Sequence, residues 1–260
     1  MNALNNTDQM TMVSESLPFR VEIASRQNLM KVASLRAASY GKHLPALGAK
    51  LSEPESSDFD LGCEVFVARS KLDGGLLGTF RTHANVFKAL PLESSLRLPH
   101  RLTGTRMVET TRLCVKANPN ASVVRSALFK ALHLYCVAQE IDWMMAAGRR
   151  PVDRIYDGLQ FKDVDEAGKF YPMEHAGGIP HRVMNLAPNQ VAPMWAASKH
   201  PLYDFFFKTS HLDIDLSQAK RLNNLWENAD IEALYAHFPE RRLTPRPTGH
   251  LTASSRSLAA

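Results

Sequence analysis

This sequence predicts an α/β fold built on a mixed sheet, and the order of its elements carries the prediction. Strand and helix patterns follow one another as strand, helix, long loop, two strands, strand, helix, strand, helix, strand, strand. Two neighbouring strands are joined by a tight turn and must run antiparallel, so the all-parallel sheet of a dinucleotide-binding fold is excluded.

Each element has a local reason. FRVEIA (19–24) alternates apolar and polar residues and reads as a strand. Ser25 then stands where a hydroxyl can cap a helix running to about Tyr40. Leu29, Val32 and Ala33 recur at helical spacing there, and Arg36 and Tyr40 continue nearly the same face, so the inward side ends in polar groups. Residues 41–62, with Pro45, Gly48, Pro54 and a Ser/Glu/Asp cluster, read as one long loop. EVFVARS (64–70) and LLGTFRT (76–82) form a hairpin through Asp73-Gly74-Gly75, whose glycines supply the positive φ of a tight turn. After a second loop over 84–104, MVETTRLCV begins a strand at Met107 that Asn118-Pro119 stops. A helix capped by Ser122 runs over 122–140, with Val124, Leu128, Ala131, Leu132, Tyr135 and Ala138 on its apolar face. A strand over 142–147, a short helix over 149–158, extended structure from Leu159 and a strand over 182–187 complete the core. Two helices are expected between 200 and 238, and the Arg-, Pro-, Ser- and Thr-rich tail from Pro239 is expected to be disordered. The domain reading is therefore a flexible N-terminus over 1–18, a catalytic-size domain over 19–194, a helical extension over 195–238 packed on it, and a tail over 239–260.

At 260 residues, 45% hydrophobic and 22% charged, the chain can bury a full core. No apolar run approaches the ~20 residues of a bilayer span, and the first residues lack the pattern of a signal peptide, so a cytoplasmic protein is expected. Cys63, Cys114 and Cys136 form no C-x-x-C pair, and the ten histidines form no H-E-x-x-H motif; the nearest histidine pair, His175 and His181, has no obvious third ligand. No metal is expected. The formal charge of +5 suits an acidic partner.

The strand from Met107 raises the chemical question. It carries Glu109 and Arg112 among apolar and β-branched neighbours, and charges in such a strand are costly to bury without a partner or a ligand. In a regular strand, residues three apart point to opposite faces, so only an irregularity would bring both into one pocket.

The order of elements is similar to the acyltransferase fold of the GNAT superfamily, and IYDGLQF (155–161) resembles that superfamily's tyrosine, glycine and phenylalanine signature. A more specific set of motifs resembles the N-acyl amino acid synthases and the related acyl-homoserine-lactone synthases. These are Leu35-Arg36 with Tyr40, the acidic loop Asp58-Phe59-Asp60, Gly78 with Arg81, and Glu109 with Arg112 and Val115. The family shows two acidic residues three apart in that loop; Asp58 and Asp60 are two apart, and Glu55 lies three before Asp58.

The resemblance implies a GNAT-like, mostly antiparallel sheet that splays at its central strand, where a bulge would free a backbone amide. It implies transfer of a long-chain fatty acyl group to the amine of an amino acid. Glu109 would accept the amine's proton, with Arg112 beside it, and Arg36, Tyr40, Asp58, Asp60 and Arg81 would bind substrate. No resident cofactor is implied. The turn before the central helix, KANPNAS, lacks the glycines that cradle the pyrophosphate of coenzyme A, which favours acyl-phosphopantetheine on acyl carrier protein, with acyl-coenzyme A as the other donor. Carrier proteins are acidic, and Arg97 and Arg101 in one cluster and Arg149, Arg150 and Arg154 in another are the expected docking residues. Peripheral membrane contact is open, the oligomeric state is not legible, and nucleic acid is not expected as a partner. Two alternatives stand beside this reading: an acyl-homoserine-lactone synthase, and a non-catalytic module that binds through its basic surface.

Overall fold

In the computed structural model the described residues are 12–222. In chain order the strands and helices are β1 (Val13–Ser14), β2 (Phe19–Ile23), α1 (Leu29–Gly41), α2 (Pro45–Lys50), β3 (Cys63–Ser70), β4 (Leu76–Ala84), β5 (Met107–Val115) and α3 (Ala121–Ala138). There follow β6 (Trp143–Gly148), α4 (Asp153–Gly158), β7 (Lys162–Asp163), β8 (Phe170–Met173), β9 (Ile179–Leu186), α5 (Pro188–Ser198), β10 (Thr209–Ser210) and β11 (Ile214–Asp215). The main sheet has nine strands in the order β11-β2-β3-β4-β5-β6-β9-β7, with β8 also on β9. Only the β11–β2 and β5–β6 pairs in it are parallel, so the mixed, mostly antiparallel sheet predicted from the sequence is present.

Strand alternation sorts the side chains into two layers. Phe66 and Ala68 of β3 point to the layer of α3, where Phe66 stacks on Phe80 at 4.4 Å and meets Tyr135 edge-on at 5.4 Å. Val65 and Val67 point the other way and pack with Leu29 and Val32 of α1. The α1 face buries Leu29, Val32, Ala33 and Arg36, so its apolar stripe does end in a charge. By composition and length α3 is apolar enough to cross a membrane. Here Val124, Leu128, Leu132 and Tyr135 are buried against the sheet, which makes it a core helix.

Several boundaries differ from the sequence reading, each for a local reason. A 3-10 turn over Arg26–Asn28 precedes α1, and Ser25 Oγ accepts from Asn28 Nδ2 (3.0 Å) instead of capping the helix. The cap of α3 is Asn120, not Ser122. Residues 41–62 are not one loop: they hold α2 and a 3-10 turn at Ser56–Phe59. α2 lies so close to α1 that a Cβ on Gly48 would stand 2.5 Å from Gly41 Cα, which explains a glycine in a helix, where it is otherwise unfavourable.

The boundary expected at 194/195 falls inside α5, and the segment after it is not helical as expected. It makes a π-helical turn at Asp204–Lys208 and then β10 and β11. Lys130 of α3 explains the change, because its ammonium donates to the carbonyls of Phe205 (2.8 Å) and Thr209 (2.5 Å) and bonds His211 Nδ1 (2.9 Å). Those carbonyls are satisfied without a continuing helix. The remainder of the expected helices, 223–238, the tail from Pro239 and residues 1–11 lie outside the described residues.

The described part of this extension is integral to the core. Trp195, Phe206 and Leu222 are buried in the same cluster as Phe66 and Leu128. Truncation after Pro193 removes all three, and loss of a buried Trp alone costs about 3–5 kcal/mol. The truncated chain is expected to be insoluble or to melt far below the full chain; a soluble fragment with an unchanged melting temperature would contradict this packing.

Candidate active site

Past Thr110 and Ala146 the parallel pair β5–β6 has no further register, so the two strands part toward their C-terminal ends. β5 is also irregular. Thr111 pairs with Arg81 and Cys114 with Thr79, so Arg112 and Leu113 stand opposite Phe80 alone. This is a β-bulge, and within it Arg112 takes a φ of +56°. The bulge resolves the spacing problem: Glu109 and Arg112 line one cleft of about 270 Å³ in the opening between the strands. Tyr40, Ala147, Arg149, Tyr156, His175 and His181 line it as well.

Glu109 and Arg112 do not pair with each other through hydrogen bonds. The Glu109 carboxylate is fully buried; Oε2 accepts the Leu92 N–H at 2.9 Å and Oε1 has no partner. Burial pushes its pKa up to about 8, and the Leu92 bond and the charges of Arg81 and Arg112 only partly oppose it. Such a carboxyl gains and loses its proton near neutral pH, as an acid–base catalyst requires. Arg112 instead grips Glu55, donating from Nε to Oε2 (2.9 Å) and from Nη2 to Oε1 (2.6 Å).

Glu55 is the hub of a buried cluster. Arg81 Nη1 donates to Glu55 Oε2 (3.1 Å) and to Asp58 Oδ1 (3.0 Å), while Arg36 Nη1 donates to both oxygens of Asp58 (2.8 and 2.9 Å). Glu55 and Asp58 hold each other's backbone amides across the Ser56–Phe59 turn, which fixes the loop. Burial would raise the Glu55 carboxyl, but the Arg112 bonds and the charges of Arg81, Arg112 and Arg36 outweigh it and bring the pKa down to about 2. Behind the cluster, Arg81 Nε donates to His83 Nε2 (3.0 Å), and burial first, with Arg81 next, holds His83 at about 2. His83 is therefore neutral, with Nδ1 facing Cys63 Sγ at 3.1 Å.

Sequence-predicted residues separate accordingly. Glu109, Arg112 and Tyr40 line the cleft, and the Tyr40 hydroxyl donates to the Leu113 carbonyl (3.3 Å), with burial raising its pKa to about 12. Arg36, Arg81 and Asp58 meet in the supporting cluster and do not line the cleft. Asp60 is elsewhere: it pairs with Lys88 on the surface, so the acidic pair of this site is Glu55 and Asp58, three apart.

Described residues include no group of three or more His, Cys, Asp or Glu arranged for a metal ion.

No protein-family profile matches the sequence, and no curated protein matches it. Solved structures do. FeeM, an N-acyl amino acid synthase from uncultured soil microbes, superposes with a TM-score of 0.50 at 14% identity, over 72% of this chain and 99% of its own. BjaI, a coenzyme A-dependent acyl-homoserine lactone synthase, superposes at 0.52 with 12% identity when bound to MTA, and at 0.51 with 13% identity when bound to SAM and isopentyl-CoA. Both BjaI matches cover 80% of this chain and 98% of that one. This chain has the fold of these synthases. The mixed sheet, parted between β5 and β6, forms the cleft.

The arginines expected on the surface divide between two places. Arg101 lies over the Trp143 ring at 5.5 Å, at the start of β6, and donates to the Val164 carbonyl (2.9 Å). Arg149 and Arg150 follow the last residue of β6, so the strand's length, roughly 15–20 Å, separates them from Arg101. Arg150 lies over Phe170 at 5.0 Å. With Arg149, Phe170, Ile179 and Pro180 it forms an open recess of about 360 Å³, joined to the cleft through Arg149 and Ile179. Arg154 is exposed on α4 nearby, and Arg97 is exposed in the loop before β5. The sequence reading missed Glu55 as the hub and His175 as a cleft residue. For Glu55 the signal was its spacing from Asp58; for His175 it was the absence of any metal partner for a histidine near His181.

Proposed function

We propose that this chain is an N-acyltransferase that moves a long-chain fatty acyl group from acyl carrier protein to the amine of an amino acid. The observation that carries the reading is the buried Glu109 carboxyl, with one oxygen unpartnered and its pKa near 8, at the bottom of a cleft between parted strands. Glu109 takes a proton from the acceptor's ammonium. The freed nitrogen attacks the thioester carbon, the N–C bond forms, the C–S bond breaks, and the leaving thiolate takes up the proton that Glu109 received; the second amine proton goes to water. A backbone amide released by the β5 bulge polarises the thioester carbonyl.

The reaction needs no resident cofactor or metal. The donor's phosphopantetheine arm enters from the side of Arg149 and Arg150, whose recess adjoins the cleft, and Arg154 extends the positive surface that an acidic carrier protein meets. Arg101 is at the other end of β6 and, with Arg97 four residues before it in the chain, belongs to a second contact. Arg112, on the cleft wall, faces the acceptor's carboxylate. The likeness in fold to FeeM, an N-acyl amino acid synthase, supports this reading.

The test is to give the purified full chain long-chain acyl carrier protein with a mixture of amino acids and to search for products by mass spectrometry. N-acyl amino acids are expected. Acyl-homoserine lactone formed from S-adenosylmethionine would replace this reading with its nearest alternative, and salt-sensitive nucleic-acid binding with no thioester turnover would replace it with the non-catalytic one.

A further inference from the structure

The loop that carries Glu55 and Asp58 inward carries Phe59 and Leu61 outward, where they stand 47% and 62% exposed. This exposure is not looseness. Arg36, Arg81 and Arg112 grip Glu55 and Asp58 at one end of the loop, and at the other the Gly62 carbonyl accepts the Ala84 N–H at 2.8 Å. Phe87 joins them from the loop after β4, 39% exposed, with its ring so near Gly62 that a Cβ there would stand 3.8 Å from it. Arg26 lies over the Phe59 ring at 5.9 Å, and Met30, four residues on at the start of α1, is 49% exposed. Cations border this patch: Lys88 pairs with Asp60, and Lys220 Nζ donates to the carbonyls of Cys63 (2.8 Å) and Asp60 (3.3 Å). The acids among them are Asp60 itself and Glu64, which is buried.

Holding two aromatic rings, a leucine and a methionine in water gains nothing for the fold, since apolar surface stabilises only when it is covered. We propose that this patch docks the chain on an anionic lipid bilayer, with Phe59, Leu61 and Phe87 entering the headgroup region and Arg26, Lys88 and Lys220 meeting lipid phosphates. Apolar side chains on a fixed loop bordered by cations suit such a surface on both counts. The side chains gain by leaving water, and the cations gain from the negative surface potential. An acidic carrier protein would also suit the charge, but position argues against it. Ala84 pairs with Val108 near the start of β5, and Val108 with Met144 of β6, whereas the donor's recess lies past Gly148 at the far end of β6. Strand rise and spacing put roughly 20 Å between them, so the two surfaces are distinct and can be engaged together. On the acyltransferase reading the product is a fatty amide, sparingly soluble in water, which a lipid surface beside the enzyme would receive. Lipid binding itself does not depend on that reading.

Co-sedimentation of the full chain with vesicles tests this without any turnover. Vesicles of phosphatidylcholine mixed equally with phosphatidylglycerol should carry the protein down, pure phosphatidylcholine should do so roughly ten-fold less, and high salt should release it. The double variant Phe59→Ser/Leu61→Ser should partition roughly ten-fold or more weakly, as expected when two apolar side chains no longer leave water. Leu72 is 95% exposed at the β3–β4 turn, a strand's length from the patch, so Leu72→Ser should bind as wild type does. The wild-type arms decide whether or not the variants fold: no sedimentation with the anionic vesicles, or sedimentation indifferent to lipid charge, overturns the inference. A double variant that binds like wild type overturns it too, as does a Leu72→Ser variant that loses binding equally. Displacement from the vesicles by acyl carrier protein, or a wild-type dimer that the double variant abolishes, would assign the patch to a protein partner and overturn it as well. Amide formation is measured separately, so failure here leaves the acyltransferase reading in place.

Discussion

Glu109→Gln is expected to lower amide formation by about 100-fold or more while making the protein harder to unfold at alkaline pH. Both effects come from one buried carboxyl. Glutamine keeps the size and can still accept from Leu92, but it cannot take a proton. For stability, the carboxyl titrates near 4.5 when exposed and near 8 in the fold, so the folded protein holds this proton more tightly than the unfolded chain. Its contribution is complete below pH 4.5 and is lost as pH rises through 8. At pH 9 wild type therefore buries a charge that the variant lacks, and the variant should melt several degrees higher. At pH 5 the two should melt alike. Thermal melts at the two pH values, with turnover measured alongside, check this directly. Wild-type turnover should rise with pH through about 8. A variant within a few-fold of wild-type turnover would remove Glu109 as the base, and equal melting at pH 9 would mean that the carboxyl is not buried as described.

The second large effect is expected at Asp58, and charge counting decides it. Arg36, Arg81 and Arg112 face Glu55 and Asp58, which leaves the cluster one positive charge in excess. Asp58→Asn raises the excess to two in a nearly dry environment, and breaking a buried pair in this way costs about 3–5 kcal/mol. Arg36→Met brings the cluster to neutrality instead. It also removes Nε and Nη2, two buried donors that have no partner, while Arg81 still binds Asp58. Urea denaturation should therefore find Arg36→Met clearly milder than Asp58→Asn. The reverse order would mean that the arginine is holding the loop by packing, not by charge.

Much of this site is legible in the sequence, and the illegible parts share a cause. Strands β3, β4 and β5 follow from alternation and turn chemistry, and the need of Glu109 and Arg112 for partners follows from charges placed in an apolar strand. Their partners do not follow, because both lie far along the chain: Glu55 is 57 residues from Arg112, and Leu92 is 17 from Glu109. Asp58 and Asp60 are the acidic candidates in the sequence, with Glu55 noted for its spacing of three from Asp58, and spacing alone does not show which carboxylates turn inward. The 3-10 turn at Ser56–Phe59 turns Asp60 out toward Lys88 and brings Glu55 in. Helix α2 is hidden by Pro45 and Gly48, which read as breakers, although a proline in the first turn and a glycine at a close crossing suit a helix. The strands β10 and β11 carry no signal at all. Two residues each, they exist because parallel neighbours in β1 and β2 accept them.

Those two-residue strands have a consequence for how this molecule meets its own copies. A sheet ends in rows of unsatisfied amides and carbonyls, and a long, flat, apolar border invites another strand to add to it. Among the described residues, one border of the nine-stranded sheet is β11, two residues long with an exposed Asp215. The other is shared by β7, again two residues, Lys162 and Asp163, whose Asp163 carboxylate is taken by Arg182, and by β8, four residues that include Pro172, which has no N–H to give a further strand. Neither offers enough unpaired backbone, or enough apolar surface, to template a partner's strand. The long strands β3, β4 and β5, which are rich in β-branched and aromatic residues and are the segments most prone to amyloid-like pairing, are all internal, with neighbours on both sides.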